Sequence, residues 1–165
     1  MSVLLMILSV VLVVSTLTGS TNNYYNEPTG NNGSSFTDCT VSKKFVEFSN
    51  NSMTPYPLTR GGALHWQAVL KIKRTIQWGG ILHATLKYNF KNYTNITFFD
   101  MELNLCDFLD DIIKQKCPVH PGIYHINSHI IMSPLLWPGQ YYAKATAYDE
   151  EGEQMMCLMK QGILE

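Results

Sequence analysis

From about Cys39 onward, apolar and polar residues alternate with a period of two. In Leu64–Lys73 the apolar set is Leu64, Trp66, Ala68, Leu70 and Ile72, with His65, Gln67, Lys71 and Lys73 opposite. In Leu82–Phe90 it is Leu82, Ala84, Leu86, Tyr88 and Phe90, against His83, Thr85, Lys87 and Asn89. Successive side chains on a strand point to opposite faces, so both segments read as half-buried strands, joined by the turn residues Gln77–Gly80. Thr97–Leu103 places Phe99, Met101 and Leu103 on one face. Ile123–Met132 sets His125, Asn127 and His129 against Tyr124, Ile126, Ser128, Ile130 and Met132. Gln140–Tyr148 aligns Tyr141, Ala143, Ala145 and Ala147, and after an Asp149–Gly152 turn a last strand carries Met155, Cys157 and Met159. The sole helical segment expected is Asp107–Lys114. Strands at this spacing, with turn signals between them, predict an all-β sandwich.

The first residues break the pattern. Val3–Val14 is apolar except for Ser9, and small residues follow, with Thr18 and Ser20 at the −3 and −1 positions of a cleavage site. This run is well short of the ~20 apolar residues that span a bilayer, so residues 1–20 read as a secretory signal peptide. Residues 21–37, rich in Asn, Thr, Gly and Ser, read as a disordered lead-in, and 38–165 as one domain.

Charge narrows the function classes. Twelve Lys and Arg against thirteen Asp and Glu give −1, and the first twenty residues contain none of them. Such a balance lacks the basic footprint of a nucleic-acid binder or a polybasic membrane patch. Cys39, Cys106, Cys117 and Cys157 allow three connectivities, and in a lumenal protein an even count favours disulfides. Pairing near neighbours gives Cys106–Cys117 and leaves Cys39–Cys157 to join the ends of the domain. Sequons at Asn32, Asn50, Asn92 and Asn95 fit the same compartment, with Asn92 and Asn95 together in a polar turn.

Catalytic chemistry is not legible. There is no GxSxG, HExxH, P-loop or GxGxxG. His125 and His129 are four apart, which on a strand is roughly 13 Å, too far to share a metal. Asp107, Asp110 and Asp111 read as a charged helix end, and Asp149–Glu151 as a solvated hairpin turn. No metal, no cofactor and no enzyme activity are expected. The unusual feature is the face Ala143, Ala145, Ala147: small residues in a row must meet large partners or leave room. Either Trp66 and Phe99 fill the space, or it is an apolar cavity bounded by Trp66, Leu70, Leu86, Tyr88, Phe99, Met101, Tyr141, Ala143, Ala145 and Met159. Met155, Met156 and Met159 would give it an adaptable wall.

The run Leu105-Cys106-Asp107, Cys117-Pro118-Val119, Gly122-x-Tyr124, Trp137-Pro138-Gly139-Gln140-Tyr141, Ala145-x-Ala147-Tyr148, Cys157-Leu158 resembles the lipid-recognition ML domain. Upstream, Pro55-Tyr56-Pro57-Leu58-x-Arg60-Gly61-Gly62 is similar to the family's segment before its second strand. The resemblance covers about residues 38–160 and is greatest to the phosphatidylglycerol/phosphatidylinositol transfer proteins of fungi and other lower eukaryotes. It implies a two-sheet immunoglobulin-like β-sandwich holding a lipid between its sheets, with bridges Cys39–Cys157 and Cys106–Cys117. A third, early bridge found in most members has no counterpart here. The implied function is carriage of a single phospholipid or sterol between membranes by a monomer, secreted or in the endolysosomal or vacuolar lumen. Membrane contact would be transient, through Leu135, Leu136 and Trp137 of the Ser133–Pro138 loop. The alternative is a secreted immunoglobulin-like interaction module with a filled core.

Overall fold

The computed structural model describes residues 36–41, 44–54 and 59–164. The expected signal peptide, most of the lead-in, Asn32 and the Pro55–Leu58 part of the motif lie outside the described residues. In chain order the elements are β1 (Thr37–Asp38), β2 (Val46–Thr54), β3 (Ala63–Ile72), β4 (Ile81–Phe90), β5 (Tyr93–Asn104), α1 (Leu105–Ile113), β6 (Gly122–Ile131), β7 (Gly139–Tyr148) and β8 (Gln154–Leu164). They form two antiparallel sheets, one ordered β1-β8-β7-β4-β5 and the other β2-β3-β6.

Alternation explains the layering. On β3, Leu64, Trp66, Ala68, Leu70 and Ile72 are buried while Gln67 and Lys71 are exposed. Leu82, Ala84, Leu86 and Tyr88 of β4 and Ile126 and Ile130 of β6 are likewise buried, and the inward sets of both sheets join in one core. His125 and His129 stand on the outer face of β6, both exposed, as that alternation requires. His129 stacks there on its cross-strand partner His65, with centroids 4.4 Å apart.

The two strands absent from the periodic reading have local causes. β1 is two residues long, and its Thr37 falls within the expected lead-in. In β2 the register shifts between Ser49 and Ser52, where one extra residue opposes β3, and Asn50 turns to φ 49°. Such a bulge reverses which residues face inward partway along the strand, so no single alternation runs through it.

α1 begins where the Asn104 side chain accepts from the Cys106 and Asp107 amides, at 2.9 and 3.3 Å, which satisfies two donors the helix cannot pair itself. It ends at Lys114 in the left-handed conformation. Leu105, Leu109, Ile112 and Ile113 bury one stripe of it against the sandwich. The disulfide Cys106–Cys117 ties the helix to the following loop, and Cys39–Cys157 joins the start of the domain to β8.

One acidic residue departs from expectation. Asp149 is buried, forms an ion pair with Arg74, and accepts from the amides of Glu151 and Glu153 at 3.0 and 2.7 Å. The β7–β8 hairpin is therefore built around a paired carboxylate rather than a solvated run.

Candidate ligand-binding interior

The interior is floored by small side chains. Ala84 and Ala145 are cross-strand partners on β4 and β7, Ala143 and Ala147 flank Ala145 on the same face, and Ala68 is buried in the opposite sheet. Sheets pack about 10 Å apart, and a methyl group reaches less far across that gap than the leucines and aromatic rings beside it.

Of the ten residues expected around a cavity, Trp66, Leu70, Leu86, Tyr88, Tyr141 and Ala143 are buried members of the core. Phe99 and Ala145 are half-buried and pack against it. Met101 is half-buried opposite Ala84, and so shares that inward face. Met159 does not join them. It pairs with Lys144, on the outer face of the sheet, and is 40% exposed. The register Ala143↔Lys160, Ala145↔Leu158, Ala147↔Met156 puts the even-numbered residues of β8 inward. A shift between Ala147 and Tyr148 lets Met155 be buried as well. That shift is what defeats counting inward from Met155.

An apolar cavity of about 20 Å³ lies at the α1 end of the sandwich, lined by Phe48, Leu70, Phe108, Leu109, Ala147 and Met156 among others. Of the ten bounding residues expected, Leu70 alone lines it, together with Met155 and Met156 of the expected methionine wall. Phe48 and Phe108 were missed, since β2 carries a bulge and Phe108 belongs to the helix rather than to a strand. The volume is about that of a single water site, so a larger guest requires the sheets or α1 to move apart.

The opposite end holds two tyrosines and a loop. Tyr141 donates to the Trp137 carbonyl at 2.6 Å and Tyr88 to the Pro138 carbonyl at 2.9 Å. Burial pushes the Tyr141 phenol up to about 12, with a smaller contribution from Tyr88; Arg60, exposed nearby, pulls the other way. Gly139, at φ 153°, lies so close to Tyr88 that a Cβ would sit 2.5 Å from its ring. In the Ser133–Pro138 loop, Leu135 is 80% and Trp137 60% exposed, but Leu136 is 1% exposed and belongs to the core. Leu136 is therefore not part of an outward apolar tip. The turn in which its amide bonds the Ser133 carbonyl points it inward.

Among the described residues no three His, Cys, Asp or Glu side chains gather as a metal would require, and no helix is long and apolar enough to cross a membrane. Asn50, Asn92 and Asn95 are all exposed.

The model of the ML domain matches residues 33–161, and the chain belongs to that family. It is 29% identical over 113 residues to the phosphatidylglycerol/phosphatidylinositol transfer protein of Schizosaccharomyces pombe, covering 68% of this chain and 56% of that protein. It is 27% identical over 120 residues to the protein of the same description from Kluyveromyces lactis, covering 72% and 66% respectively. The chain thus spans less than two thirds of the length of these two relatives. Among solved structures it is similar in fold to a Niemann-Pick type C2 protein from Japanese carpenter ant, with a TM-score of 0.55 at 13% identity, covering 79% of this chain and 99% of that one.

Proposed function

We propose that this chain is a lipid carrier of the secreted or lumenal compartment, taking one phospholipid or sterol between its sheets and passing it between membranes without catalysis. The observation that carries the reading is the alanine floor, Ala84, Ala143, Ala145 and Ala147, which runs from the tyrosine end toward the apolar cavity under α1. A lipid tail laid along that floor would lose its contact with water at about 25 cal/mol per Å². The two bridges and the exposed sequons support an oxidising compartment. The two yeast relatives carry the description phosphatidylglycerol/phosphatidylinositol transfer protein, which supports phospholipid as the cargo. The mouth would fall at the tyrosine end, where the exposed side chains of Leu135 and Trp137 would meet a bilayer surface.

An interaction module with a filled core is the second reading, and the small volume of the cavity favours it. Native mass spectrometry of the glycosylated, disulfide-intact protein separates the two. The carrier arrives with lipid bound and moves labelled phospholipid between vesicles in EDTA and without ATP. Protein free of lipid and inactive in transfer would overturn the carrier reading.

A further inference from the structure

Along the inward face of β8, Met156 and Leu158 are apolar, but the next inward residue toward the tyrosine end is Lys160. It stands opposite Ala143, two residues from Tyr141 along the sheet, or about 7 Å. Lys160 is 5% exposed, and its Nζ has no hydrogen-bond partner among the described residues. The amine lies over the Phe36 ring, 5.0 Å from the centroid. A buried ammonium without an acceptor is costly, and a ring face offsets only part of that cost. Among the described residues no carboxylate is paired with it: Asp38 on β1 is held by Lys44, and Glu47 on β2 by Lys73. On β7 the adjacent charge is Lys144, on the outer face.

We propose that Lys160 is the head-group residue of this carrier, pairing with the oxyanion of an anionic amphiphile whose tail runs past Leu158 and Met156 into the cavity under α1. The proposal rests on the carrier reading and adds to it a charge preference and a direction. The order of side chains supplies the direction: the mouth tyrosines first, the cation one rung in, then apolar residues down to the cavity. Burial lowers the Lys160 pKa to about 8, which still leaves the amine mostly protonated at neutral pH, ready to meet an anion. The oxyanion could be a phosphodiester or a fatty-acid carboxylate, and both present the same acceptor to an ammonium.

The test uses the secreted, disulfide-intact protein as wild type and as Lys160→Met, a substitution that keeps the length of the side chain and removes the buried charge. Each is equilibrated with vesicles of phosphatidylcholine containing phosphatidylglycerol, oleate or a fluorescent sterol, and the bound lipid is counted by native mass spectrometry. Wild type should prefer phosphatidylglycerol or oleate over phosphatidylcholine at least tenfold, and whichever anion is retained identifies the source. Lys160→Met should lose that preference, its retention of phosphatidylglycerol or oleate falling to that of phosphatidylcholine, while it holds the sterol, which has no oxyanion, within twofold of wild type. An undiminished preference in Lys160→Met overturns the proposal and leaves the carrier reading standing, whereas loading of none of these lipids by wild type overturns both. Nuclear magnetic resonance titration of the lysine ε-carbons in wild type gives a readout independent of the variant's folding: the Lys160 pKa should rise on loading with the anion, and an unmoved pKa overturns the assignment.

Discussion

Tyr88 and Tyr141 are cross-strand neighbours with ring centroids 4.8 Å apart, and their hydroxyls bond the carbonyls of two consecutive residues, Pro138 and Trp137. The pair anchors one side of the proposed mouth loop to the sandwich. Replacing either by Phe keeps the ring and removes one buried hydrogen bond, an expected loss of about 1 kcal/mol each. Urea denaturation measures that loss, and hydrogen exchange should rise in Leu135–Trp137 before it rises in β4.

The same loop separates two kinds of leucine. Leu135→Ser with Trp137→Ser should slow vesicle-to-vesicle transfer severalfold at a cost of about 1 kcal/mol, because both side chains are largely exposed and Trp137 gives up its ring contact with Tyr88. Leu136→Ser should instead destabilise by about 3 kcal/mol or more, since it removes a core side chain and buries a hydroxyl. Equal transfer rates in the double variant would remove this loop as the mouth.

Ala145→Trp tests the floor. The residue is half-buried between Ala84 and Leu158, so an indole there fills the proposed tail path. The expected outcome is a folded protein that retains less than a tenth of wild-type lipid. If the interior is filled instead, overpacking should cost roughly 1–3 kcal/mol with no lipid to lose.

The two bridges should differ in worth. Cys39–Cys157 closes a separation of 118 residues and Cys106–Cys117 one of 11. On the chain-entropy account their removal should cost nearly 5 and about 3 kcal/mol respectively. Thermal unfolding of the Cys→Ala pairs reads the order directly.

Lys160 predicts a pH signature in the lipid-free protein. Its folded pKa is depressed to about 8 from 10.5, so between these values the unfolded chain holds a proton that the folded one has released. Stability should therefore rise from pH 8 to pH 10, by about 2 kcal/mol, and show no such trend below pH 7. Tyr141 opposes it only above pH 10, where unfolded tyrosine ionises and the folded phenol, at about 12, does not. Denaturation midpoints should climb across this window in wild type and stay level in Lys160→Met.

The alternating strands were legible because each places one clean apolar face inward: β3, β4, β6 and β7 all follow from period two. The family was legible in the cysteines and in Trp137–Tyr141, and both bridges form as that resemblance implies. The interior was less so. Met159 and Lys160 are adjacent, and which of them faces inward depends on a register shift near Ala147 that the sequence does not announce. Counting from Met155 chose the methionine, and the lysine was missed because a charged residue is ordinarily assigned to the solvent face. Asp149 was misread for the same reason, its partner Arg74 lying in a different loop. The loop leucines pose a related problem, since a turn has no fixed period to sort Leu135 from Leu136.

The bulge at Asn50 has a counterpart across the molecule. β2 and β5 are outer strands of their respective sheets, and each carries a sequon asparagine with positive φ, Asn50 at 49° and Asn95 at 57°. A strand that turns out of extended geometry in this way offers another chain a broken ladder to add to, and a sugar on either asparagine would obstruct it further. β2 and β5 are thus poor templates for polymerisation, a useful property in a carrier of the proposed kind, whose apolar interior would open to the surroundings and close again.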